Sequence, residues 1–339
     1  MTPTESAAAL KESQLKDLAR LGIHPVPLPL SRGPETICVY LLMAGGSPAL
    51  IDTGVGHPLA LARLAKALDQ LGLDPREIEH VFLTHAHPDH AGGVVEMART
   101  YHSSVWVHPL EAPRLDGRQA RFVREALPDV FKRLGVDEAM SRLTLPDLAL
   151  SARAYDHQRF DGHLALADGQ RLPVDGLELL VVHAPGHSPG SVCFLERGHG
   201  ILFSGDTLLS QGAAQPTLSL DPRGTPYFQG LMEMQQSLNL LEGLGEILVL
   251  PGHGPPAPLP GLVSQARAAF EKKRRQLLRR IEPGATPYDL IRRRVERTQG
   301  AYLLPDLYFT RCQLEVLEHE GLVCVEVDRG LERVLPTGE

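Results

Sequence analysis

The chain is poor in several things, and each scarcity excludes a class of protein. Four cysteines, Cys38, Cys193, Cys312 and Cys324, are scattered over 339 residues with no CxxC pair. That spacing argues against a disulfide framework or a thiolate zinc site; three of the four sit in apolar runs (ICVY, SVCFL, LVCVE), so buried thiols are predicted. Apolar runs are short: none approaches the ~18 residues of a membrane span. The opening MTPTESAAALKESQLKDLAR lacks the basic start and apolar stretch of a secretion signal. No membrane partner and a cytoplasmic location are therefore expected. Positive charge is also scarce, with a net charge of -7 and a pI near 6.1, so the molecule as a whole does not advertise a polyanionic partner. Fixed-period repeats and low-complexity tracts are absent.

What is present reads as a large domain followed by a smaller one. IHPVPLPL, ETICVYLLM and SPALIDTG, punctuated by Gly, Pro and Ser, predict successive antiparallel strands. HPLALARLAKALDQLG carries helical spacing, with Leu59, Leu61, Leu64, Leu68 and Leu71 expected largely along one side. IEHVFLTH reads as a strand, AGGVVEMARTY as a helix and SSVWVH as a strand. Residues 109–160 are charged and helical, with Pro113, Pro128 and Pro146 as punctuation, and predict a helical insert of two or three short helices. Strands resume in HLALADGQRLPVDGLELLVVH, SVCFLERGHGILFSGD and EILVLPGHG, the last preceded by a helix near 226–243. PGHGPPAPLPG is a Pro/Gly hinge, which places a catalytic domain at 1–260. Beyond it, at 261–339, come a basic helix, TPYDLIRRRVERT with Thr286 as N-cap, and LYFTRCQLEVLEHEG as a helix. LVCVEVDRGLERVLP then forms a hairpin turned at Asp328-Arg329-Gly330. Helices followed by a two-stranded wing predict a winged-helix-like module.

The densest chemistry lies in THAHPDHAGG, which puts His85, His87, Asp89 and His90 within six positions. At a strand end, residues two apart point to one side, so His85 and His87 can bind one ion together. Pro88 breaks the strand and turns Asp89 and His90 toward a second ion. Imidazole and carboxylate without thiolate fit zinc, and also manganese or iron. Three further segments each place one ligand-type residue where an apolar strand gives way to a small-residue loop: His187 in VVHAPGHSPG, Asp206 in ILFSGDT and His253 in EILVLPGHG. Read together, His85, His87 and His187 would hold one ion, Asp89, His90 and His253 another, with Asp206 bridging. Two such ions lower the pKa of a bridging water toward ~7, which predicts a hydrolase using a bridging hydroxide, with Asp89 also accepting a proton. His157 and His163 in YDHQRFDGH are candidates to protonate a leaving group, and Tyr227 to touch substrate. His183 is expected to pack, and His24, His57, His80, His102, His199 and His319 to lie at the surface or in the core.

The ordered set THAHPDHAGG, APGH, SGDT and PGHG resembles the metallo-β-lactamase superfamily over roughly residues 20–260. The resemblance implies an α/β fold, an αββα sandwich of two mixed sheets flanked by helices, with a dinuclear site at one edge. LIDTG matches as well: Asp52 is similar to the family's aspartate that orients ligand histidines by hydrogen bonding. Asp206 stands where the commonest true β-lactamases carry cysteine, so drug hydrolysis is not expected. Asp89 stands where flavodiiron oxidoreductases carry glutamate, and no flavin module follows. Glyoxalase II is similar at THAHPDHAGG and SGDTL but departs at PGHGPP. In architecture the chain most resembles the lactamase-beta-like group, in which PGHG is followed by a basic helix and a winged helix; some of those proteins cleave single-stranded RNA and others act on thioesters.

The leading expectation is a dinuclear metal-dependent hydrolase of an ester, thioester or related acyl substrate, a small molecule. The alternatives are a phosphodiesterase or endoribonuclease, a mononuclear-iron sulfur dioxygenase, and a non-enzymatic nucleic-acid binder. RNA draws support from EKKRRQLLRR and IRRRVER: residues 261–339 hold 14 basic against 12 acidic residues, whereas 1–260 hold 20 against 29. Such runs also occur as plain solvated helix faces, and few aromatics lie nearby for base stacking. The insert is expected to fold over the mouth of the site as a lid or, alternatively, to form a homodimer contact.

Overall fold

Val181 and Val182 are adjacent in sequence yet belong to different cores, and that divergence defines the architecture. The structure is a computed structural model that describes residues 12–30, 36–156, 159–221 and 224–337. Six strands form the first sheet in sequential order: β1 (Ile23–Pro29), β2 (Thr36–Leu42), β3 (Ala49–Ile51), β4 (His80–Phe82), β5 (Ser104–Val107) and β6 (Leu164–Ala165). The β1–β2 and β2–β3 pairs are antiparallel and the rest parallel. The second sheet runs β11–β10–β9–β8–β7, built from β7 (Leu179–His183), β8 (Val192–Glu196), β9 (Ile201–Gly205), β10 (Leu248–Pro251) and β11 (Ala257–Pro258). Only its β9–β10 pair is parallel.

Because successive strand side chains point to opposite faces, each sheet feeds two layers. Tyr40, Ile51 and Phe82 of the first sheet meet Val181, Phe194, Phe203 and Leu250 of the second between the sheets. The outer face of the first sheet, with Val39, Leu50, Val81 and Val105, packs on α2 (Pro58–Gln70) and α4 (Val94–Arg99). The outer face of the second, with Val182, Cys193, Leu202 and Val249, is covered by helices drawn from before the sheet (residues 118–133), within it (230–242) and after it (259 onward). The result is the four-layer αββα sandwich. Each fully buried phenylalanine in the middle layer contributes on the order of 1.5–3 kcal/mol.

The helices correct several expectations. In α2 the buried stripe is Ala60, Leu64 and Leu68, while Leu59 and Leu71 face solvent; the i, i+4, i+8 spacing won over leucine content. The helix expected from Ala91 is two short ones, α3 (Pro88–Ala91) and α4, interrupted at Gly92-Gly93. The insert contains α5 (Ala112–Leu115), α6 (Arg118–Glu125), α7 (Leu127–Arg133) and α8 (Glu138–Asp156). Pro113 and Pro128 sit in first turns, where the missing N–H costs nothing, but Pro146 lies inside α8. Proline punctuated two helix starts and failed to end the third.

Helix α9 (Gly230–Glu242) connects β9 to β10, and carboxyl-terminal to the sandwich run α10 (Leu259–Leu278), α11 (Arg292–Arg297), α12 (Leu303–His319) and the hairpin β12 (Val323–Asp328) and β13 (Leu331–Pro336). Thr286 and Asp289 exchange hydrogen bonds as a capping pair, although regular helix begins only at Arg292. Arg329 and Gly330 form the hairpin turn, both at positive φ, as a two-residue turn of this twist requires. Hydrophobic contact is continuous across residue 260: Leu262, Val263, Ala266 and Phe270 of α10 and Leu307 and Cys312 of α12 share a cluster with α9, α7 and the second sheet. The hairpin adds a smaller cluster around Leu277, Leu314, Leu317, Val323 and Val334. All four cysteines are free thiols, and burial pushes Cys193 up to about 12. Among the described residues no helix is long and apolar enough to cross a membrane.

Candidate metal centre

The two sheets are joined at one edge by hydrogen bonds that also set the ligand loops. Val192 N–H donates to the Thr84 carbonyl (2.9 Å), Cys38 N–H to the Gly252 carbonyl (2.8 Å) and the Tyr40 hydroxyl to the Pro251 carbonyl (2.7 Å). The loops after β4, β7, β9 and β10 thereby converge. All seven predicted residues come together in three overlapping groups, His85/His87/His187, His85/His90/Asp206 and Asp89/His90/His253, each with donor atoms within 4.8 Å of one another.

The outward nitrogen of each imidazole is held by an oxygen, and this fixes which nitrogen faces inward. His187 Nδ1 lies 2.8 Å from the Gln215 carbonyl and His253 Nδ1 lies 3.1 Å from the Thr36 carbonyl. A carbonyl only accepts, so both Nδ1 atoms carry a hydrogen and both Nε2 atoms point inward. His90 Nδ1 donates to Asp52 (2.7 Å). Thr84 Oγ1 donates to Asp52 (2.8 Å) and lies 3.1 Å from His85 Nδ1, which makes that nitrogen the donor as well. His87 is reversed: its Nε2 bonds Thr217 Oγ1 (2.8 Å), whose own hydroxyl donates to the His187 carbonyl. Its inward Nδ1 sits 2.8 Å from both His85 Nε2 and His187 Nε2.

Three lone pairs facing one point repel unless something positive lies between them. Burial, then mutual repulsion and Arg114, hold His85 and His87 well below their ordinary pKa, and His187 is lowered mainly by burial. These are neutral imidazoles, the form that binds metal. The other side carries the negative charge. Asp206 lies between the groups: Oδ2 is 3.5 Å from His187 Nε2, and Oδ1 is 3.2 Å from His90 Nε2 and 3.7 Å from His253 Nε2. Burial opposes its ionisation, yet His90, His187 and His253 hold it well below the usual carboxylate range. Asp89 bonds His253 Nε2 at 3.2 Å and is likewise lowered. Burial would push His90 down, but Asp206 and Asp52 on either side raise it well above its usual value. His90 Nε2 and Asp206 Oδ1 are buried without a hydrogen-bond partner. Three neutral inward nitrogens, two more that face carboxylates, and the two carboxylates themselves are a donor set that fits divalent cations.

Asp52 is the hub of this arrangement. It accepts from Thr84 N–H, Thr84 Oγ1 and His90 Nδ1 while held at φ 61°, a left-handed conformation that a non-glycine residue keeps only where its surroundings compel it. Two glycines are sterically required. A Cβ on Gly252 would fall 2.6 Å from His90 Cε1 and 3.0 Å from Asp206 Oδ1, and one on Gly205, at φ 50°, would fall 2.5 Å from Thr84 Oγ1.

The remaining candidates are not in these groups. Tyr227 donates its hydroxyl to Glu233 and accepts from Tyr308 at its carbonyl. His163 is half-buried, with Nδ1 unpartnered, and His157 lies outside the described residues. Three contributors went unread in the sequence. Glu111, 1% exposed, takes Ala86 N–H on Oε2 (2.9 Å) and Gly190 N–H on Oε1 (3.0 Å), tying two ligand loops together. Thr217 orients His87. His108 stacks on His183 with centroids 4.3 Å apart, and His183 bonds the Pro189 carbonyl. A lone Glu after a strand and a lone Thr in a loop carry no local signal; only the fold brings them to the loops.

An αββα sandwich whose ligand loops gather histidines and aspartates at one sheet edge defines a class of metal-binding hydrolase folds. Residues 32–276 match the family described as the metallo-beta-lactamase superfamily, and the chain belongs to it. It is a metal-dependent hydrolase whose fold implies divalent metal ions. Among its relatives, the "Probable metallo-hydrolase YqjP" of Bacillus subtilis is 27% identical over 309 residues, 88% of this chain and 92% of that protein. The crystal structure of metallo-beta-lactamase family protein TTHA1429 from Thermus thermophilus superposes with a TM-score of 0.76 at 27% identity, covering 93% of this chain and 98% of that one. The "Atrochrysone carboxyl ACP thioesterase" of Aspergillus fumigatus is 26% identical over 215 residues, 63% of this chain, and this chain spans only 37% of its length.

Proposed function

We propose that the chain holds two divalent cations, zinc in the first instance, and hydrolyses an ester or thioester of a small acyl substrate. The observation that carries this reading is the set of five imidazoles, each with its outward nitrogen bonded to oxygen and its inward nitrogen facing Asp206 or the other rings. His85, His87 and His187 would hold one ion, Asp89, His90 and His253 the other, and Asp206 would touch both. When bound, such ions lower the pKa of a water shared between them and polarise the attacked carbonyl. The chain's own part is to keep the donors in register. Asp52 holds His90 directly and His85 through Thr84, Thr217 holds His87, and Gln215 and Thr36 fix the tautomers of His187 and His253. Asp89, held ionised and part exposed, is placed to take a proton from the water. Tyr227 receives no role, since its hydroxyl is committed to Glu233.

An acyl substrate is favoured over RNA because four of the eight arginines in EKKRRQLLRR and IRRRVER already meet carboxylates of the protein. Arg274 meets Glu271 and Glu320, Arg275 meets Glu271, Arg292 meets Asp289 and Arg294 meets Asp306, so these four charges already have partners on the protein. The thioesterase named among the relatives supports the same choice. The deciding experiment loads the purified chain with zinc, manganese or iron and compares a p-nitrophenyl ester, an acyl thioester and bis(p-nitrophenyl) phosphate. Acyl turnover that disappears in His85→Ala is expected. Turnover of the phosphate diester alone, or oxygen uptake with one iron per chain, would replace this reading with one of the other two.

A further inference from the structure

The His/Asp loop has a second face. Ala86 and Pro88, which alternate with the candidate ligands, and Ala91 and Gly92, which follow them, line a cavity of about 310 Å3. Its opposite wall is made by the insert, through Leu115 of α5, Ala120 and Val123 of α6 and Leu148 of α8, and by Leu218, Leu304 and Pro305. The polar groups at its rim are turned to the protein. Gln119 donates to the Leu218 carbonyl, Arg114 donates to the Leu218 carbonyl and Ser219, and Thr217 is bonded to His87. What faces the space is mostly hydrocarbon.

We infer that this cavity is the acyl pocket: it takes an unbranched apolar chain of about eight to twelve carbons, with the scissile carbonyl left at the ligand loop. This rests on the hydrolase reading above and adds the substrate's apolar part to it. The size follows from volume. An apolar protein cavity of ~150 Å3 accepts a benzene ring, and this one is about twice as large. The position follows from Thr217, which lines the cavity and bonds His87 Nε2 at 2.8 Å, so the space ends against the ligand loop. A chain seated here would have its head group beside His87 and Thr217 and its tail between α6, α8 and the start of α12. The insert therefore sets substrate length, and the carboxyl-terminal helix completes the pocket.

The test has a binding arm and a turnover arm. Calorimetric titration of 1-decanol into the metal-free chain should give saturable binding, weakened at least tenfold by Val123→Trp or Leu148→Trp, either of which fills the space. In the metal-loaded chain, kcat/KM for p-nitrophenyl esters should rise from acetate to decanoate by up to about fourfold per methylene and stop rising near twelve carbons. The decanoate-to-acetate ratio should fall at least tenfold in both variants; a variant that merely misfolds lowers both esters together and leaves the ratio. Absence of decanol binding, a profile flat in chain length, or a ratio indifferent to both tryptophans would overturn the inference. Decanol binding with no ester turned over would remove the hydrolase reading and leave the pocket standing.

Discussion

The two halves of the metal centre are built differently. His85, His87 and His187 form a buried cup: His85 and His187 are 1% and 5% exposed, all three are driven toward the neutral form, and none is a carboxylate. Asp89, His90 and His253 form a more open and more charged half, in which the side chains of Asp89 and His253 are 31% and 24% exposed. His90 and His253 are raised by their carboxylate neighbours. In the first half the three imidazoles are all driven toward the neutral form that binds metal. In the second a proton can sit where the cation would, because the same lone pair accepts either. The difference teaches that one ion should be held tightly over a wide pH range and the other more loosely.

The largest expected effect breaks both halves at once. Asp52→Ala removes the acceptor of Thr84 N–H, Thr84 Oγ1 and His90 Nδ1, leaving buried donors unmatched. It should cost about 3 kcal/mol of stability and lower metal affinity about 100-fold, read by denaturant unfolding and by competition with a chromophoric chelator. Unchanged affinity would mean that Asp52 does not organise the donors.

Glu111→Gln sharpens the comparison, because it touches only the cup. A carboxylate accepts at both oxygens, whereas an amide offers one oxygen and one NH2, so either Ala86 N–H or Gly190 N–H faces another donor. Affinity for the first ion should fall about tenfold while the second is unaffected; equal weakening of both would contradict the division. The smallest effect lies behind the cup. His108 is pushed down to about 4 by burial and by His183 across the stack, against opposition from Glu111 and Asp168. It is neutral in the fold, whereas an unfolded histidine takes up a proton near 6.5. Its stabilisation is thus complete above pH ~6.5 and lost as pH falls toward 4. Since His108 is part exposed, the loss is about 1 kcal/mol after allowance for solvent screening. His108→Gln should flatten that part of the stability–pH curve.

How far the sequence was legible follows from range. The strands and the meeting of the seven candidate side chains were readable because THAHPDHAGG is dense in histidine and aspartate and His187, Asp206 and His253 each follow an apolar strand in a small-residue loop, and period-two alternation at Val181 and Val182 encodes a sandwich with two outer layers. Leu59 misled, because leucine content outweighed helical phase; Pro146 misled, because packing of α8 tolerates a missing hydrogen bond. Glu111 and Thr217 were invisible, because their partners at Ala86 and His87 are 25 and 130 residues away. The pocket was invisible for the same reason, since the loop after β4, the insert and α12 meet only in the folded chain.

Metal stoichiometry puts the account under the most direct strain. The chain is dialysed against zinc, and its content is measured by plasma mass spectrometry in the parent, in His253→Ala and in His87→Ala. Two ions per chain are expected in the parent, one in His253→Ala, and fewer than one in His87→Ala, where the cup itself is broken. A single ion in the parent, retained in full by His87→Ala, would contradict the arrangement proposed for these seven side chains.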